Sequence, residues 1–518
     1  MTIHQRGIPV RNADAPQGEH IPKVKNDPIS VAVNLRPYQG EKAKEHFKTT
    51  DPGVDVTKLP LIGKPLARAM KSRKFQFFLI VPNQIIFWIV IISGIFGITD
   101  PGRNFGPAIT WYLWFCLVFV MMVVVGRAWC SMCPFGGFGE WIQRRALFQR
   151  TQKALGLGKK LPESWAGHGL VISVGTFLVL TFIEEYFNIA GPGAPIATSL
   201  MVIGIVTFAL LSFLVFERRT FCRYICPLSS LIGTVGAMGM VSGFRTRDRE
   251  VCMSCSTKDC MRGSEDGYGC PWYTWPGSAD SNSMCGLCSE CYKSCPSDNI
   301  GLFVQSPLKS VIAPVRRKAD VGLAVSILLG LVLYQQYNAM SWYATLDTKL
   351  NSFLHFPHYP DPIGYFGGIG LGVVVVWLLA LGVRKVSGAF TSGSNKTTWF
   401  TTLCYALIPI TGADYFARQL PKFFKHVPRV LSSIGQPFGL HPGVYNVRLL
   451  TDPRIVTVQL MVMGLGTAAS LYAAYRISGR DLATQSRRPQ VAVAASLLMV
   501  FAISVLATLI YLPMHAAS

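Results

Sequence analysis

Nine long apolar stretches organise the chain, at roughly 75–98, 107–126, 169–187, 198–216, 320–338, 363–383, 398–413, 455–475 and 490–512. Each is close to the ~20 residues a helix needs to cross the hydrocarbon of a bilayer. They predict an all-α polytopic membrane protein of about nine transmembrane helices. The 398–413 stretch is the shortest, and Pro409 interrupts it, so its ends are the least defined. Residues 1–70 are polar, Pro-rich and basic and hold no apolar run of the kind a secretory signal carries. They read as a loosely ordered tail.

Composition supports a membrane protein. Charged residues make up 15% of the 518, against about 25% in a soluble domain. The formal net charge of +22 raises the question of nucleic acid. Its distribution answers differently. With the N-terminus inside, nine spans put the loops near 99–106, 188–197, 339–362 and 414–454 outside, together with the C-terminal end. Of the 49 Lys and Arg, only Arg103, Lys349, Arg418, Lys422, Lys425, Arg429, Arg448 and Arg454 fall there, leaving 41 inside. This is the positive-inside pattern. It predicts a bacterial inner-membrane protein with a cytoplasmic N-terminus and a periplasmic C-terminus, and gives nucleic acid no support.

Two connections are long. Residues 127–168 form a basic loop, and 217–318 form an insert of about 100 residues that holds ten of the 14 cysteines. Rich in Gly, Ser and Cys and poor in apolar runs, the insert suits a small α+β domain held by something other than a large core. The expected layout is a tail (1–70), a four-helix membrane part (71–240), the Cys-rich cytoplasmic domain (241–310) and a C-terminal membrane part of about five helices (311–518).

The strongest chemical signal is Cys285-x2-Cys288-x2-Cys291-x3-Cys295-Pro296. In this bacterial ferredoxin run three close thiolates hold one [4Fe-4S] cubane and the fourth reaches a neighbouring cluster. The second half precedes it as Cys252-x2-Cys255-x4-Cys260 and then Cys270-Pro271. Crossed ligation assigns Cys252, Cys255, Cys260 and Cys295 to one cluster, and Cys285, Cys288, Cys291 and Cys270 to the other. Structural zinc is the competing reading, since CxxC knuckles also bind zinc. Zinc takes two pairs per ion, whereas this spacing is three-plus-one with Pro after each fourth Cys. Disulfides are disfavoured on a reducing cytoplasmic face.

Two further pairs, Cys130-x2-Cys133-Pro134 and Cys222-x3-Cys226-Pro227, sit where spans two and four end. The surrounding segments, "VVVGRAWCSMCPFGGFGEW" and "VFERRTFCRYICPLSSLIG", echo one another, so the first four spans read as two repeats of a helical pair. Pair, pair and then ferredoxin run, over residues 70–310, resemble the membrane polyferredoxins of the NapH, NosR and CcoG type. That resemblance implies electron transfer between the quinone pool or cytoplasm and an exported redox system or, for the CcoG type, copper reduction for oxidase assembly. Two departures stand out. The first pair has two intervening residues instead of three, and residues 320–518 add spans that short members lack. The four pair cysteines read as ligands of a third metal centre or as redox dithiols. Cys116 and Cys404, alone inside spans, read as packing residues.

An external acceptor requires a carrier across about 30 Å of hydrocarbon. None of the nine His lies mid-span and no CxxCH haem motif is present. A mobile quinone, or a partner such as a haem-bearing membrane subunit or cytochrome c, must carry the electrons. Polar residues in the spans are the quinone and proton candidates: Asn83 and Gln84 after Pro82, and Glu184 and Glu185 near the outer end of span three. Asp414 and Arg418, one turn apart at the outer end of span seven, read as a proton site or an i,i+4 ion pair. All these acids are expected near water. His355 and His358 read as part of a solvated external loop. The leading function is a quinone-linked iron–sulfur electron-transfer protein. The alternative is a copper reductase, against which stands the lack of a Met-rich or His-rich tract.

Overall fold

The computed structural model describes residues 51–147, 154–162, 165, 168–189, 195–313, 317–338, 340–354, 362–389, 396–436, 447–509 and 511. His355 and His358 lie outside the described residues. The principal helices are α1 (Gly63–Lys71), α2 (Phe75–Phe96), α3 (Phe105–Val125), α4 (Pro134–Arg144), α5 (Gly169–Tyr186), α6 (Pro195–Val215) and α7 (Pro227–Val235). After the insert come α8 (Ala319–Tyr337), α9 (Ser341–Leu354), α10 (Pro362–Val386), α11 (Lys396–Ala406), α12 (Ile408–His426), α13 (Asp452–Ile477) and α14 (Pro489–Leu509).

Among the described residues eight helices are long and apolar enough to cross a membrane: α2, α3, α5, α6, α8, α10, α13 and α14. The expected span at 398–413 is absent as a single crossing. Leu407 separates α11 from α12, and Pro409 falls in the first turn of α12, where a missing N–H costs nothing. Trp399, Cys404 and Leu407 of this broken segment are fully buried. Irregular backbone at membrane depth is tolerated where protein covers it. Here α8 and α13 supply that cover.

The most enclosed span is α8, with 67% of its apolar window buried against 39% or less for the others. It packs on α5, α10, α11 and α12, and so joins the first four spans to the C-terminal helices. Small residues permit the approach: a Cβ on Gly372 would stand 3.0 Å from the Gly330 Cα. Cys116 and Cys404 are buried in apolar surroundings, the packing role expected of them.

The insert contains strands β2 (Val241–Thr246) and β3 (Ile300–Val304), antiparallel and bracketing the ferredoxin-type cysteines. Residues 51–70 are ordered, contrary to the loose tail expected. Val54–Asp55 forms β1 on the other edge of β3, giving the order β1-β3-β2, and α1 follows. Asp55 is fixed by Arg247 at 2.8 Å, and Arg247 also donates to Thr57. So short a strand has no sequence period; its partner lies some 250 residues away.

Candidate functional site

Each helix-exit pair is built by the same local rule. A residue before proline is pushed out of the α region, and proline is favoured as the first residue of a helix. Cys133 (φ −65, ψ 125) and Cys226 (φ −53, ψ 124) therefore take nearly one conformation, each capping the helix its proline begins, α4 and α7. The spacing difference is absorbed upstream. Cys130 lies in an α-turn, Trp129–Met132, whereas Cys222 lies in a π-turn, Phe221–Ile225, closed by Cys226 N–H to Phe221 O at 2.7 Å. A π-turn takes up the one extra residue.

The two repeats lock reciprocally. Arg127 and Arg219 each stand three residues before the first Cys of their own pair, and each reaches the other pair. Arg127 Nη2 donates to Cys222 O at 3.4 Å, and Arg219 Nη1 to Cys130 O at 2.9 Å. Both are almost fully buried. Arg127 also donates to Ser283 O at 2.6 Å and stacks on Trp272 at 4.5 Å. Arg219 is paired with buried Glu140. Helix α4 approaches the second pair so closely that a Cβ on Gly136 would lie 3.1 Å from Cys222 Sγ.

The four pair thiols lie close together, Cys222 buried and Cys130, Cys133 and Cys226 half-buried. Burial pushes Cys133 up to about 11, with Cys130 adding to it. Burial likewise pushes Cys226 up to about 12, with Cys133 and Cys130 adding. The Cys222 thiol is raised by burial and by the other three sulfurs, against the pull of Arg219. Thiols so placed are costly to ionise unless positive charge is supplied, which iron does.

In the insert the sulfurs gather in the two crossed sets. Cys252, Cys255, Cys260 and Cys295 line one cavity, with Trp275 and Asn299. Asn299 ties its ends together: its N–H donates to Cys295 Sγ at 3.3 Å and its Nδ2 to Cys252 Sγ at 3.4 Å. Burial raises Cys270, and the Cys285 sulfur adds to it. Cys291 is raised by burial and then by Cys270, Cys288 and Cys285. Leu287 (φ 51) and Ser289 (φ 61) take left-handed conformations on either side of Cys288, bending this short loop. A bulge in β2 places Gly243 (φ +93) against the set, where a Cβ would meet Cys285 Sγ at 2.9 Å.

The three groups adjoin one another. Cys260 of the first insert set feels Cys270 of the second, and Cys291 feels Cys260. Arg219 bridges to the helix-exit pairs: burial opposes its charge, but Glu140 and then the sulfurs of Cys222 and Cys288 hold it raised. Among the described residues no three His, Cys, Asp or Glu side chains close around a single metal ion. A cubane spreads four thiolates over four irons, so its ligands need not crowd one point, and the donor sets present fit [4Fe-4S] groups.

The polar candidates in the spans separate. Asn83 donates to Leu79 O at 3.0 Å, a local backbone role. Gln84, with its amide turned to satisfy both ends, donates to Pro134 O at 3.1 Å and accepts from Trp88 Nε1 at 3.0 Å, seating α2 on the Cys133 turn. Neither lines the cavity of about 290 Å³ between Glu140, Arg144, Leu155, Leu157, Arg218 and Pro271. Glu184 and Glu185 sit at the far end of α5 from the pairs. Asp414, expected near water, is fully buried, and it bonds to Gln336 and Tyr511 in place of Arg418. Arg418 turns instead to Glu185, 3.9 Å away.

Comparison with known proteins adds one finding. A family model described as "4Fe-4S binding domain" matches the chain twice, at residues 107–154 and 198–244. The matched segments are the two echoing repeats, and each contains one helix-exit pair. No curated protein and no solved structure matches. The chain is thus largely helical, with eight apolar helices among the described residues compatible with a multi-pass membrane protein, and with two segments that match a 4Fe-4S binding domain.

Proposed function

We propose that the chain is a quinone-linked electron-transfer protein with three [4Fe-4S] sites in series, of the NapH, NosR and CcoG kind. Cys130, Cys133, Cys222 and Cys226 hold the first, Cys285, Cys288, Cys291 and Cys270 the second, and Cys252, Cys255, Cys260 and Cys295 the third. The observation that carries the reading is the contiguity of the three thiol groups, with Arg219 between the first two. When bound, the clusters supply one-electron exchange. The chain's own residues space them, bury them and donate hydrogen bonds to their sulfurs, as Asn299 does.

The 290 Å³ cavity takes the quinone head group. Exposed Leu155 and Leu157 line one side for an apolar tail, and Arg144 and Arg218 line the other for ring oxygens. Arg218 donates to Cys270 O at 2.8 Å, which sets the cavity beside a cluster ligand. The insert is cytoplasmic in the bacterial inner membrane, and an exported partner such as a cytochrome c lies on the other side. The test is anaerobic. A short-chain quinol added to purified protein should bleach or restore the visible cluster absorbance, and Leu157→Glu should slow that exchange at least tenfold. If dithionite reduces the clusters but no quinone or quinol exchanges with them, the quinone role fails.

A further inference from the structure

The helices added after the insert carry a buried polar site that the cluster chain does not use. Asp414 lies in the middle of the bundle with no exposed surface. Its Oδ1 accepts from Tyr511 at 2.7 Å and from Gln336. Its Oδ2 has no hydrogen-bond partner among the described residues, and no ion pair forms to it there. Gln336 Oε1, Glu185 Oε2 and Arg418 Nη1 are likewise unpartnered. A carboxylate held away from water among apolar helices is costly, so negative charge added nearby favours its taking up a proton.

These groups lie in a line across α5, α8 and α12, as two hydrogen-bonded pairs. On α8, the neighbouring residues Gln335 and Gln336 face opposite partners: Gln335 donates to Glu185 of α5, and Gln336 to Asp414 of α12. Arg418, one turn beyond Asp414, closes the line back to Glu185. Arg418 and Glu185 keep 31% and 16% of their side-chain surface exposed, so water reaches that end while Asp414 is sealed. The other ionisable groups facing this region are Glu184 of α5, Tyr365 of α10, Tyr334 of α8 and Lys422 on α12 itself. Tyr415 of α12 adjoins Asp414 as well; α3 carries Cys116 and also Tyr112, which packs on His426 of α12, and α7 and the middle of α13 carry no ionisable residue.

Two helices connect this line to the thiols. Helix α7, capped by Cys226, and the turn that follows it end against α12, where a Cβ on Gly412 would meet Met238 and Val235 at 2.7 and 3.0 Å. Helix α5 holds Ser173 on Cys226 O at 2.7 Å. Glu185 lies twelve residues further on, about 18 Å along the axis at ~1.5 Å per residue. Charge added at the pair site is weakly screened across so dry a bundle.

We propose that Asp414 is a proton-loading site, filled from the water-accessible Glu185–Arg418 end, that takes up a single proton when a one-electron reductant reduces the [4Fe-4S] site of the helix-exit pairs. This rests on the electron-transfer reading but requires no quinone. The experiment is redox-difference infrared spectroscopy of the full-length protein in lipid, reduced by dithionite, with cluster EPR recorded on the same samples. A protonated-carboxyl band that shifts in D2O should grow on reduction and vanish in Asp414→Asn with the EPR signals retained. Tyr511→Phe, which removes one donor from Oδ1, should move the band without removing it. Intact clusters with no carboxyl band, or with a band unchanged in Asp414→Asn, would overturn the proposal. Should Asp414→Asn not fold, a band unmoved in Tyr511→Phe would overturn it equally. Loss of the EPR signals in the parent protein would count against the cluster reading instead.

Discussion

Replacing Asn299 with Leu removes a donor to cluster sulfur, together with the bonds its amide makes to Thr246 and Asp248. The side chain keeps its volume but loses the Nδ2 donor to Cys252 Sγ, 3.4 Å away, while the backbone donor to Cys295 Sγ remains. Donors to cluster sulfur favour the reduced, more negative state. A hydrogen bond to a charged group is worth about 1.5–3 kcal/mol. At this length, and counting only the difference between two redox states, about 1 kcal/mol is reasonable. With ~59 mV per tenfold change for one electron, that is a fall of about 40 mV. Thr246→Val, which removes the hydroxyl 3.0 Å from the same sulfur, should lower the potential by a similar amount. Asn299→Leu also frees the Asp248 N–H that Oδ1 accepts at 2.9 Å. The variant should therefore lose about 1–3 kcal/mol of local stability and be handled cold. An EPR-monitored redox titration reads both clusters of the insert. An unchanged or raised potential would refute the reasoning, and so would a shift confined to the cluster of Cys285.

Crossed ligation predicts that Cys295→Ser damages the cluster of Cys252, Cys255 and Cys260 and leaves that of Cys285 more intact; selective loss of the Cys285 signal would reverse the assignment. Gly243→Ala puts a Cβ into the space of Cys285 Sγ at a φ of +93, a strain of about 1–3 kcal/mol, and should release iron from that cluster first in a chelator challenge. Reporter fusions near residues 265 and 350 should report cytoplasm and periplasm respectively; an external signal at 265 would overturn the orientation drawn from Lys and Arg.

The crossing helices were legible because a bilayer demands long apolar runs and the chain supplies them without interruption. The segment around Pro409 was not, because a broken helix wrapped by α8 and α13 needs no continuous apolar surface. The same covering hides Asp414, which its sequence position alone places near water. Cysteine spacing marks the insert as the place where thiols concentrate, because ten of the 14 cysteines fall there. It said less about the helix-exit pairs, since a two-residue and a three-residue gap look unlike until the π-turn at Phe221–Ile225 absorbs the difference. The echo marks Arg127 and Arg219, each three residues before its pair, but their reach to the other repeat depends on the fold. Asn299 and β1 carried no local signal, because their roles depend on partners distant in the chain.

Iron and acid-labile sulfide, measured with zinc on anaerobically purified protein, test the central claim most directly. Three cubanes require about twelve iron and twelve sulfide per chain, falling to about eight in the Cys130→Ser/Cys222→Ser double variant. Stoichiometric zinc with little iron would contradict the electron-transfer account, and eight iron in the parent protein would contradict the site between the repeats.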